Sequence, residues 1–163
     1  MKASIHIKGI PISTKDAINI ARFIRGKELK ITISKLNTIL DKKSSLPHLK
    51  YPGSTPHKKG KVMAGSYPLK AIKEMLKLLN SVEANARNKG MIAPFIINHI
   101  KADKGELQWH YGRQRRHRRK NTYVEITLIE KSPKPKEEKA RGKKETGAVA
   151  LDKEKKITGK EKK

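Results

Sequence analysis

The 163-residue chain contains no cysteine, which excludes disulfide frameworks, cysteine-based zinc sites and thiol catalysis. Aromatic residues make up only 4% and hydrophobic residues 35%, so the core must be small and mostly aliphatic. No apolar run approaches the roughly 18 residues that a membrane span needs. The first 30 residues lack the basic-then-apolar layout of a signal peptide, because Ile5, Ile7, Ile10 and Ile12 alternate with polar residues. An intracellular setting is the simpler expectation. Acidic residues are scarce, 15 against 40 lysines and arginines.

The resulting net charge is +25. It divides as +8, +6, +5 and +6 over residues 1–50, 51–100, 101–131 and 132–163. An excess spread this evenly repels itself in a compact chain unless a polyanion neutralises it. Nucleic acid is therefore the leading partner, ahead of a membrane surface. The carboxylates are scattered rather than gathered as a two-metal nuclease requires, and the histidines show no zinc-ligand spacing. No glycine-rich phosphate loop of the P-loop or dinucleotide type occurs. Neither a catalytic residue, a metal site nor a cofactor is expected.

Alternation around Ile5 and Ile7 predicts a strand over residues 4–10. Ser13, with Asp16 three residues later, resembles a capping box and opens a first helix that Gly26 should stop. Leu29, Ile33, Leu36 and Leu40 predict a second helix over roughly 28–42. Residues 43–66 read as a long loop broken by Pro47, Pro52, Gly53, Pro56, Gly60 and Gly65. The third helix is the clearest element. Ser66 or Tyr67 can cap it, Pro68 suits its first turn, and Gly90 should end it. Leu69, Ile72, Leu76, Leu79 and Ala86 mark its apolar face. Strands follow over 95–101 and 122–130. The expected core holds Ile20, Ile24, Leu36, Leu40, Ile72, Leu76, Leu79, Phe95, Ile97, Val124, Ile126 and Leu128.

Between the last two strands lie about twenty residues that carry the sharpest chemical signal. Five of the nine arginines fall between 113 and 119, and no acid occurs from Leu107 to Val124. Arginine's planar fork binds phosphate in two-pronged fashion and stacks on bases. Arg113, Arg115, Arg116, Arg118, Arg119 and Lys120 are candidate phosphate contacts. Trp109 and Tyr111 supply flat faces for stacking on bases or packing along the arm. If both strands continue into this insert, each adds roughly ten residues, about 30 Å at about 3.3 Å per residue. Such an arm should project, and it should order only when embedded in a partner. A plain localisation signal needs no flanking pair of alternating strands. The loop offers a second candidate contact in Lys58, Lys59 and Lys61, with His57 steadying it. Residues 132–163, rich in Lys, Glu and Pro, should be a disordered basic tail.

Several segments together resemble one known family. Tyr67-Pro68-x-Lys70-Ala71 leads into Leu78-Leu79-Asn80 and Glu83-Ala84-Asn85-Ala86, with Lys89-Gly90 closing the helix. Ile20-Ala21-Arg22-Phe23-Ile24-Arg25-Gly26-Lys27, His57-Lys58-Lys59-Gly60, His99-Ile100 and Val124-Glu125-Ile126 fall in the same order. Over residues 8–131 the chain resembles the universal large-subunit ribosomal proteins called L-twenty-two in bacteria and L-seventeen in eukaryotes, in the archaeal and eukaryotic form. The family's Arg-Ala-x-Gly-Arg hairpin element is matched only at Gly112-Arg113, with Trp109 and His110 in place of Arg and Ala. Tyr123 also replaces a common His.

Composition sets off residues 132–163 as a disordered C-terminal tail after a domain over 1–131. The resemblance implies an α+β fold: three helices packed on a small antiparallel sheet, with a long protruding basic β-hairpin at about 101–122. It implies a non-catalytic cytoplasmic protein of the large ribosomal subunit that binds and helps assemble its RNA. The hairpin tip would line the nascent-peptide exit tunnel. The expected partners are large-subunit ribosomal RNA, neighbouring ribosomal proteins and the nascent peptide, with no membrane and no homo-oligomer. The alternative is a basic architectural DNA-binding protein, which would need a dimer or repeated arms.

Overall fold

A computed structural model describes residues 1–58 and 62–131. The elements run β1 (Lys2–Ile10), α1 (Thr14–Ile24), α2 (Leu29–Leu40), β2 (Leu46–Pro47), β3 (Gly65–Ser66), α3 (Leu69–Asn88), β4 (Phe95–Lys104), β5 (Trp109–His110), β6 (His117–Arg118) and β7 (Thr122–Glu130). This is the α+β architecture of three helices on a small antiparallel sheet. The tail at 132–163 lies outside the described residues, as do Lys59 and Lys61.

The main sheet has the order β1-β7-β4, both pairings antiparallel, so the last strand sits in the middle. Strict alternation on β7 explains why: Thr122, Val124, Ile126 and Leu128 are buried, while Tyr123, Glu125 and Thr127 lie on the opposite, half-open face. The buried face meets the helices. α1 and α2 pack against β4, and α3 against β1 and β7. On the other face Glu125 stands between histidines from both neighbours, 3.0 Å from His6 and 3.9 Å from His99. The β1–β7 ladder slips between Ile7 and Ile10, and the β4–β7 ladder between Ile97 and His99.

Ten of the twelve expected core residues are fully buried; Leu40 and Leu76 are half-buried against the core. Their displacement has a local cause. α2 buries Leu29, Thr32, Leu36 and Ile39, not the stripe through Ile33 and Leu40. Thr32 can occupy the apolar face because its hydroxyl donates to the Glu28 carbonyl at 2.8 Å, leaving no polar group unpaired. α3 likewise buries Met75, Leu78 and Val82 beside Ile72 and Leu79, and Leu69 stays half-buried.

The helix starts differ from the sequence expectation. Ser13 occupies the position before α1, but its side chain makes no capping hydrogen bond, so the Ser13/Asp16 box does not form. Pro68, not Ser66 or Tyr67, precedes α3. Ser66 is unavailable, because its hydroxyl is bonded to His48 Nε2 at 2.6 Å. The helix ends follow expectation: Gly26 (φ +74°) and Gly90 (φ +72°) take the left-handed conformation that ends a helix at little steric cost.

Candidate RNA interface

β4 and β7 stop level with the end of β1, whose Ile10 also faces Thr122, and lead from there into the arm. Their ladder extends to Lys104 opposite Thr122, three residues beyond the expected end of β4. The Gly105 amide then donates to the Asn121 carbonyl at 2.9 Å, and the Arg119 amide to the Gln108 carbonyl at 2.8 Å. Beyond that, Trp109 pairs with Arg118 and His110 with His117. The strands thus continue into the insert, but in two pieces separated by residues 105–108 and 119–121. Gly112 sits in the turn, where a Cβ would press on the Arg115 carbonyl.

The separation of the two ladders has a physical trace. Asn121 donates through Nδ2 to the Glu106 carbonyl at 3.1 Å, but its Oδ1 is buried without a partner. It is the one such side-chain atom among the described residues.

Residues 111–120 are all exposed. Arg113, Arg115, Arg116, Arg118, Arg119 and Lys120 form no ion pair with a described carboxylate. The Arg118 guanidinium lies 4.4 Å from the Trp109 ring centroid and that of Arg116 5.8 Å, so the indole gathers two of the cations. Trp109 remains 56% exposed and Tyr111 89% exposed. The Tyr111 ring leans on His110 with centroids 4.3 Å apart. The arm is therefore a scaffold of outward cations and flat rings with no apolar core, suited to a polyanion that carries planar groups.

The second candidate site is only partly described. His57 bridges to Ala64 across the loop, and the Lys58 ammonium lies 5.3 Å from the Tyr67 ring centroid. What sequence reasoning missed is the brace that holds this loop to the body. Buried Asn19 on α1 sits 3.2 Å from His48 Nδ1, and its Oδ1 accepts from the Lys50 amide at 3.1 Å. His48 in turn reaches Ser66, and β2 pairs with β3. Periodicity gave no signal for it, because position 19 lies off the stripe of Ala17, Ile20, Ala21 and Ile24. The loop is thus pinned to the body through β2, β3 and the Asn19–His48–Ser66 brace.

At the arm's root, Lys101 and Asp103 form an ion pair at 2.7 Å. Their hydrogen bond, and then the nearby carboxylate charge, hold the Lys101 ammonium above its ordinary pKa. Among the described residues no three His, Asp or Glu side chains are placed to hold a metal ion, and no helix is long and apolar enough to cross a membrane.

Comparison with known proteins identifies the family. The family model described as Ribosomal protein L22p/L17e matches residues 5–131. The large ribosomal subunit protein uL22 of Nanoarchaeum equitans is 40% identical over 136 residues, covering 78% of each chain. That of Sulfolobus acidocaldarius is 39% identical over 135 residues, covering 76% of this chain and 86% of its own. The Picrophilus torridus protein of the same name is 39% identical over 105 residues, covering 64% of this chain and 70% of its own. The chain belongs to the ribosomal protein L22p/L17e family, whose members serve the ribosome as structural rather than catalytic components.

Proposed function

We propose that this protein is a structural constituent of the large ribosomal subunit that binds large-subunit ribosomal RNA, supports subunit assembly, and helps line the nascent-peptide exit tunnel with the tip of its arm. The observation that carries the reading is the arm itself: two paired strands, exposed throughout 111–120, with six cations that pair with no described carboxylate. The names of the relatives, each a large-subunit protein, support the choice of subunit.

In this reading Arg113, Arg115, Arg116, Arg118, Arg119 and Lys120 contact phosphates. Trp109 and Tyr111 stack on or pack against bases. Lys58, Lys59 and Lys61 bind RNA from the loop that the Asn19–His48–Ser66 brace holds in place, with His57 steadying it. Residues 1–131 act as the RNA-binding domain, with 132–163 as a basic tail. The mechanism is charge neutralisation and shape fit, with little reading of base edges. Neighbouring large-subunit proteins and the nascent peptide are the further partners, and the cytoplasmic ribosome is the site of action.

Competition binding tests the reading. The full-length protein, held on labelled large-subunit ribosomal RNA, should be displaced by that RNA at far lower concentration than by duplex DNA of equal phosphate content. Equal displacement by DNA would replace this reading with an architectural DNA-binding one.

A further inference from the structure

We propose that the cavity at the root of the arm is a nucleotide site, receiving one nucleotide of an RNA strand with its base against Tyr51 and its phosphate among Lys15, Lys104 and Lys120. This rests on the RNA-binding reading above and gives it a specific pocket away from the arm's arginines. The cavity measures about 590 Å³ and lies between the start of α1, the loop at Tyr51 and the two strands entering the arm. That is within the range of about 300–1,000 Å³ typical of small-ligand sites.

Its walls divide by chemistry. Half-buried Ile18 and Leu107 line it as apolar groups, and Tyr51, 44% exposed, adds a ring. The ammonium groups of Lys15 and Lys50 stand 5.5 and 5.2 Å from that ring's centroid. Lys15, Lys104 and Lys120 also line the cavity, and none has an ion-pair partner among the described residues. The one acid on the wall, Asp103, is engaged by Lys101 at 2.7 Å. The free protein therefore gathers unpaired positive charge around a hollow whose single carboxylate is already committed. A bound anion relieves that repulsion.

The backbone gives a second, independent observation. Tyr51 has φ +59°, a left-handed conformation that a bulky residue rarely adopts. It is held there from the preceding residue, where the Lys50 amide donates to buried Asn19. Strain kept by a part-buried hydrogen bond at the edge of a hollow is characteristic of a binding position.

A bare phosphate would use the lysines and leave the ring and the apolar wall idle. A nucleotide uses both, because its base stacks on an aromatic face while its phosphate pairs with ammonium groups. Lys120 belongs both to this wall and to the end of the arm's basic run, so one RNA strand can continue from the arm into the cavity.

The test is a titration of isotope-labelled full-length protein at low salt, followed by amide chemical shifts. The probes are adenosine 5′-monophosphate, uridine 5′-monophosphate, adenosine and inorganic phosphate. The nucleotides should give saturable shifts centred on Ile18, Tyr51, Ala102 and Asp103. Adenosine or phosphate alone should bind at least about tenfold more weakly. Tyr51→Leu, which keeps apolar bulk, and Lys104→Gln, at an exposed position, should each weaken nucleotide binding about fivefold or more. Lys77→Gln on α3 should not. Shifts spread over every lysine-rich surface, or an equal response to phosphate alone, would overturn the proposal. Direct binding of wild-type protein to large-subunit RNA, run alongside, separates the two ideas: its failure counts against the RNA reading, whereas the nucleotide titration judges the cavity by itself.

Discussion

Replacing Arg115, Arg116, Arg118 and Arg119 together with Ala should leave the fold intact and sharply weaken RNA binding. All four side chains are exposed, and none pairs with a described acid. The only interaction lost within the described protein is the approach of Arg116 and Arg118 to Trp109. Exposed substitutions of this kind change stability by within about 0.5 kcal/mol each. Together they amount to at most about 2 kcal/mol, so the thermal midpoint should move by less than about 10 °C. The binding effect is much larger. Each phosphate contact contributes about 0.7–0.9 to the slope of log affinity against log salt. Four lost contacts flatten that slope by about 3. Between 50 and 200 mM salt, the wild type should then lose about 60-fold more affinity than the variant. Filter binding of both proteins to large-subunit ribosomal RNA across that salt range measures the difference. An unchanged slope in a folded quadruple variant would refute the arm as the phosphate-binding element.

Two further outcomes follow from the packing. Ile126→Ala empties a fully buried position on the central strand and should cost about 2–5 kcal/mol in urea unfolding; a loss under 1 kcal/mol would contradict the placement of β7 at the heart of the core. Without RNA, amides at 108–118 should exchange rapidly while those at 124–128 are protected, because one two-pair ladder and two single amide bonds hold the arm. Strong protection of 108–118 in the free protein would show that the arm is preformed.

Much of the fold was legible because period and punctuation agreed. Alternation placed Val124, Ile126 and Leu128 on one face, and Gly26 and Gly90 marked helix ends where the backbone turns left-handed. The errors arose where a side chain's polar group found a local partner. Thr32 reads as a surface residue, yet its bond to Glu28 lets it replace Ile33 on the buried face of α2. Ser66 reads as a cap, yet His48 takes its hydroxyl. The long loop hid β2, β3 and the Asn19 brace, because such contacts join residues about 20 to 30 positions apart and leave no periodic trace. The arm's arginines were visible as composition, but the cavity at its root was not. Ser13, Tyr51, Asp103 and Asn121 meet there only after the chain has folded.

The most direct test of the central claim is sedimentation of host lysate on a sucrose gradient, with magnesium removed to separate the subunits, repeated at high salt. A protein whose arm is embedded in ribosomal RNA should travel with the large subunit and stay there at high salt. Release into the top fractions at high salt would mean that the chain binds polyanions loosely from outside, and would contradict its placement as an integral part of the subunit.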